Sequence, residues 1–98
     1  MAVENVKIFV ALGVGATLTY YCRYTAGGDE HETLVMPRNR WLDYAADVRT
    51  LDGLRDTLYT DALYHINGAA KWSAQAKDEL RRQTDRVAGD LWQDTHAN

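Results

Sequence analysis

Cysteine is almost missing from this chain. Cys22 is the only one, so no intramolecular disulfide can form, and neither a paired-thiol metal site nor a twin Cys-x9-Cys hairpin can be built. Its expected role is packing. An excess of positive charge is missing too: 11 Lys and Arg stand against 14 Asp and Glu, for a net charge of -3. A phosphate-binding surface needs cations clustered on one face, and here they are interleaved with acids, so nucleic acid is excluded as a partner. Catalytic patterning is also absent. No nucleophile sits with a base and an orienting acid, and no glycine-rich phosphate loop precedes a helix. His31, His65 and His96 are scattered, and the acidic run from Asp29 to Glu32 holds one imidazole with no second ligand cluster at a useful spacing. The chain is therefore expected not to be an enzyme, with no catalytic, metal-binding or cofactor-binding residues and no cofactor.

Charge disappears altogether from one segment. Between Lys7 and Arg23 lie fifteen uncharged residues, IFVALGVGATLTYYC. As a helix rising ~1.5 Å per residue, this core spans roughly 22 Å, less than the ~30 Å of a bilayer's hydrocarbon layer. Lys7 and Arg23 could extend their charges outward while burying their stems, and Tyr20, Tyr21 and Tyr24 suit the headgroup level as membrane-interface anchors. The flanks do not fit a cleaved secretory signal, because Glu4 offsets Lys7 and no small-residue cleavage point follows the run. The reading is an uncleaved transmembrane helix over residues 1–24. With no ionisable group inside it, the span carries no proton-relay residue. Ala11, Gly15 and Thr19 recur every four positions, a small-residue stripe suited to close helix packing in lipid.

Residues 25–39 read as a linker, in which Gly27 and Gly28 break the helix, Asp29, Glu30, His31 and Glu32 are solvated, and Pro37 blocks continuation. Asn39 is placed to cap a long helix from about Arg40. Trp41, Tyr44, Val48, Leu51, Leu58, Ala62 and Ile66 then follow at helical spacing, interrupted by Arg55. Asn67-Gly68 marks a hinge or stop. A second helical tract has a thinner apolar face of Ala69, Ala76, Leu80, Val87 and Leu91, with Trp72 and Trp92 as candidate anchors. The expected fold class is all-α: one transmembrane helix and then one or two long amphipathic helices in a polar tail over residues 40–98, not an independent globular fold.

The N-terminal residues Asn5-Val6, Phe9, Ala11-Leu12-Gly13-Val14-Gly15 and Thr19 resemble subunit e of mitochondrial F-type ATP synthase, over about twenty residues. In that family a single membrane helix with a GxxxG packing motif leads into a long charged helix. Thr19 stands where the second glycine would be. The resemblance implies an accessory structural subunit in the mitochondrial inner membrane, part of a proton-transporting complex. It would contact other membrane subunits, subunit g among them, and the lipid bilayer through Ala11, Gly15 and Thr19, and support dimerisation and cristae shape. It also implies an N-terminus in the matrix, whereas the cations Arg23, Arg38 and Arg40 after the span, against Lys7 before it, would place the tail there. Two other readings share parts of this layout: a supernumerary single-pass subunit of a respiratory-chain or cristae-organising complex, and a soluble helical interaction module.

Overall fold

The computed structural model describes residues 2–97. The segment expected to cross a membrane is a β-hairpin. Strand β1 (Val3–Leu12) pairs antiparallel with β2 (Leu18–Ala26), and β2 pairs antiparallel with β3 (Asp29–Pro37), giving a sheet in the order β1-β2-β3. Three helices follow: α1 (Arg38–Asp47), α2 (Leu51–His65) and α3 (Ala74–His96). The all-α, single-span expectation is thus overturned, and with it the inner-membrane placement. No described helix is long and apolar enough to cross a membrane.

The physical reason lies in residue type. β-Branched and aromatic residues crowd both halves of the uncharged run, and these suit a pleated surface better than a helix. Register places Val6, Ile8, Val10 and Leu12 on one face, opposite Tyr24, Cys22, Tyr20 and Leu18. The middle of the run, Gly13-Val14-Gly15-Ala16, is the turn. Gly15 has φ +71° and Ala16 φ +63°, left-handed values that a glycine adopts freely and an alanine only with strain. The supposed packing stripe has a different meaning here. Ala11 and Thr19 are cross-strand partners, and Gly15 lies midway between them at the tip. Spacing of four and four marks one face of a helix, and equally a hairpin folded about its central residue.

The proposed interface anchors separate in the same way. Tyr20 and Tyr24 face inward, Tyr20 stacked on Trp41 at 4.6 Å and Tyr24 against Trp72 at 4.9 Å. Lys7 and Arg23 are cross-strand partners on the outer face, where Tyr21 stacks on Phe9 at 5.8 Å. Gly27 and Gly28, both at positive φ, make the second turn, and the expected linker is largely β3. One extra residue, Val35, interrupts the β2–β3 register between Leu34 and Met36. This bulge lets Val35 and Met36 both turn into the core.

The long helix expected from Arg40 is two helices. Helix α1 starts at Arg38 directly after Pro37, so Asn39 lies inside it and caps nothing. Val48 and Thr50 have extended backbones, and Thr50 caps α2 by accepting from the Gly53 amide at 3.0 Å. Gly53 lets Val48 pack on the first turn of α2, since a Cβ there would come within 2.9 Å of a Val48 methyl. Gly68, at φ +81°, makes Asn67-Gly68 a full reversal. Ser73 then caps α3, which folds back on α2. Arg81 bridges to Asp56 at 2.6 Å and lies over the Tyr59 ring, and these neighbours hold its guanidinium firmly protonated, Asp56 foremost.

One core joins both layers. Ile8 and Cys22 from the sheet, Trp41 and Ala45 from α1, Leu54, Leu58 and Ala62 from α2, and Leu80, Val87, Ala88 and Leu91 from α3 are buried together. The tail's apolar faces are covered by the sheet, so residues 40–97 pack into the same fold as the strands. Cys22 is fully enclosed, and burial pushes its thiol from 9.0 up to about 12.

Two outcomes follow from this packing. Gly15→Ala adds a Cβ into open space at a positive φ, whereas Gly13, with φ -95°, would set its Cβ 2.5 Å from Thr19 Oγ1. Urea unfolding should show Gly15→Ala costing about 1–2 kcal/mol through backbone strain, and Gly13→Ala about 1–3 kcal/mol through overpacking. An unchanged midpoint for Gly13→Ala would show that the turn is looser than described. For Cys22, the folded chain retains the thiol proton that the unfolded chain releases, so stability should fall as pH rises from about 9 to about 12 and then level off. Cys22→Ala should flatten that part of the pH profile, and native Cys22 should resist thiol reagents at neutral pH.

Candidate docking arm

Helix α3 decides which part of the sheet is covered. It begins beside the first half of β1, near Val3 to Val6. At Ile8 it closes the strand's outer edge: Gln83 Oε1 accepts from the Ile8 amide at 3.3 Å, and Arg86 donates to the Ile8 carbonyl at 2.6 Å. The helix then crosses the sheet toward the start of α1, where Arg38 donates to Asp94 at 2.7 Å and to the Tyr20 hydroxyl at 3.3 Å. Those contacts, the Tyr20 bond first, keep the Arg38 guanidinium above its ordinary range.

Because α3 turns away, the β1 side of the hairpin's far end is left without a helix over it, while Thr17 and Leu18 on the β2 side border Arg38, Asn39 and Leu42 of α1. Val10 is 45% exposed, Leu12 68%, Val14 98% and Leu18 45%. Val10, Leu12 and Leu18 belong to the sheet face that is buried elsewhere, continuing the rows of Val6–Ile8 and Tyr20–Cys22. Backbone direction alternates along a strand. With Ile8 pointing its amide and carbonyl away from β2, Val10 and Leu12 do the same, and among the described residues no side chain bonds to either. The arm therefore offers an apolar surface and a short bare strand edge together. The other edge is unlike it. Strand β3 begins with Asp29, Glu30, His31 and Glu32 and ends at Pro37, residue types that discourage further strand pairing.

The outer sheet face carries no helix, but it is partly closed by its own pairs. Arg23 lies over the Phe9 ring at 4.7 Å and bridges to Glu32 at 3.0 Å and Glu30 at 3.6 Å.

A second cluster lies between α1 and α2, where Tyr44, Asp56, Thr57, Thr60, Asp61 and Tyr64 border an open groove of about 510 Å³. Its carboxylates are already engaged. Asp61, largely buried, accepts from Trp41 Nε1 at 2.7 Å and from the Tyr44 hydroxyl at 3.5 Å, and His65 Nδ1 lies 3.2 Å away. Asp56 holds Arg81. These bonds account for the acids as fold-holding groups. No group of three or more His, Cys, Asp or Glu placed to hold a metal occurs among the described residues. The three histidines stay apart: His31 stacks on Tyr24, His65 sits beside Asp61, and His96 stacks on Trp92.

Of the residues expected to form a helix-packing interface, Ala11 and Thr19 are near the arm's end and Gly15 is at its tip. Ala11 and Thr19 face each other across the hairpin and Gly15 lies in its turn, so the three do not line a helix face. Val10, Leu12 and Leu18 were not singled out by sequence, because the run has no charged positions that set one face apart from the other. No protein-family model matches the chain, and neither curated proteins nor solved structures give a match.

The Trp41–Asp61 bond is testable. Trp41→Phe keeps an aromatic ring against Tyr20 but leaves the Asp61 carboxylate short of its donor, and should cost about 1–3 kcal/mol. Trp41→Phe combined with Asp61→Leu should cost less than the sum of the single changes in urea unfolding, because no orphaned carboxylate remains. Additive losses would mean that the two groups do not act as a pair.

Proposed function

We propose that this protein is a binding module that acts by docking rather than by catalysis, and that its contact surface is the projecting end of the β1–β2 hairpin. One observation carries the reading: four large apolar residues, Val10, Leu12, Val14 and Leu18, are exposed together on a segment that also leaves a strand edge bare. Contiguous apolar exposure of this kind is uncommon on a monomer surface unless something covers it. An added strand can satisfy the main-chain edge while its side chains cover the apolar residues. Helix packing in a membrane is not proposed, since the residues that resemble subunit e form the two arms of a hairpin.

A photo-reactive benzoylphenylalanine at Val14 should give a discrete covalent adduct in cells producing the protein, while the same residue at Asp78, exposed on α3 away from the arm, should give none. No adduct from Val14, or equal labelling from both positions, would overturn the docking role.

A further inference from the structure

We infer that the arm's occupant is a second copy of this chain, joined by antiparallel pairing of β1 with β1 about a two-fold axis at Ala11; this rests on the docking reading above. The edge chemistry selects the segment. Strand β3 is blocked by its acids and Pro37. On β1, the Ile8 amide and carbonyl are taken by Gln83 and Arg86. What remains is the outward-facing backbone of Val10 and Leu12, on a strand without charge from Ile8 to its end. Edge strands are usually protected by a charge, a proline or a covering element, and this stretch has none of them.

The register follows from the same two residues. With the axis at Ala11, Val10 of one copy faces Leu12 of the other, and the free amides and carbonyls of both residues find partners in a mutually bonded pair. Moving the axis to Val10 would set Leu12 against Ile8, whose groups are occupied. Moving it to Leu12 would set Val10 against Val14, which lies in the turn. Only the Ala11 axis uses every bare group. It also brings Val10 and Leu12 of the two copies together on the face that their own helices leave uncovered. The axis is perpendicular to the sheet, so the copies share one six-stranded sheet with all helices on the same side. Helix α3, which has crossed toward Arg38 by Asp94, leaves room there. The patch is small beside the ~800 Å² per partner of a standard interface, so the dimer forms reversibly with rising concentration.

Sedimentation of the purified full chain over micromolar to millimolar concentrations should show the mass rising from 11.1 kDa toward twice that value. Leu12→Lys places a charge on the edge, and Val10→Pro removes an amide that β2 does not use. Each should weaken association about tenfold or more with the far-UV spectrum unchanged. Ala11→Cys tests the register without relying on either variant. Ala11 and its copy would form a close non-bonded pair, within disulfide reach, and native Cys22 is buried and does not compete. Oxidation with diamide should link Ala11→Cys chains into dimers, but not Thr25→Cys chains, whose new thiol lies on the same outer face near the hairpin's other end. A chain that stays monomeric at all concentrations, or cross-links equally at both positions, overturns the self-pairing. If the Val14 adduct then contains a different protein, docking stands and self-pairing falls. If no adduct forms, docking falls as well.

Discussion

Trp41 is the contact on which the two layers depend. It is fully buried on α1, its ring lies 4.6 Å from that of Tyr20 on the central strand, and its indole N–H donates to Asp61 on α2. A large aromatic with one polar atom can do this only if both requirements are met in the same place: apolar area on its faces and an acceptor at its edge. Three residues before it, Arg38 bonds the hydroxyl of the same Tyr20 and the carboxylate of Asp94. Sheet, α1, α2 and the end of α3 thus meet within one turn of α1. Around this node the aliphatic core closes, with Ile8, Leu54, Leu58, Leu80 and Leu91 fully enclosed.

The same geometry explains why the molecule is uneven at its edges. Helix α3 is held at its middle and near its C-terminal end by specific bonds, to Ile8 through Gln83 and Arg86 and to Arg38 through Asp94. A straight helix fixed at those points must leave β1 as it approaches α1. The hairpin runs on past it, and the apolar rows that begin in the core end in solvent at Leu12 and Leu18. The exposed arm is therefore not a defect in the hydrophobic pattern but the continuation of a core face beyond its cover. The opposite edge shows how the chain treats a strand meant to stay free, with acids along the first half of β3 and a proline at its end.

Much of the helical half could be read from local spacing. Leu58, Ala62 and Ile66, and later Ala76, Leu80, Val87 and Leu91, recur at intervals of four or seven and are all buried, because a 3.6-residue period reports the buried side of a helix directly. The break at Val48–Thr50 was less legible. Its markers, a capping Thr50 and a Gly53 that accepts Val48, act over a few residues and do not disturb the apolar count. The candidate arm was legible only in part: Ala11, Gly15 and Thr19 were singled out, but as a stripe on a helix.

The sequence by itself determined that no disulfide could brace the chain, that residues 40–92 would be mainly helical, and that the segment from Ile8 to Cys22 would carry no charge. It did not determine how that segment folds or which of its residues are covered. A run with no charged residue lacks the polar positions that would reveal a period of two or of 3.6, and small residues spaced four and four fit a helix stripe and a hairpin alike. The tertiary structure decided between them, since strands became favourable once α1, α2 and α3 returned to cover one sheet face and α3 closed the edge at Ile8. Which residues of the run stay exposed was settled by the path of α3 across the sheet, a relation between residues some eighty positions apart that no local pattern encodes.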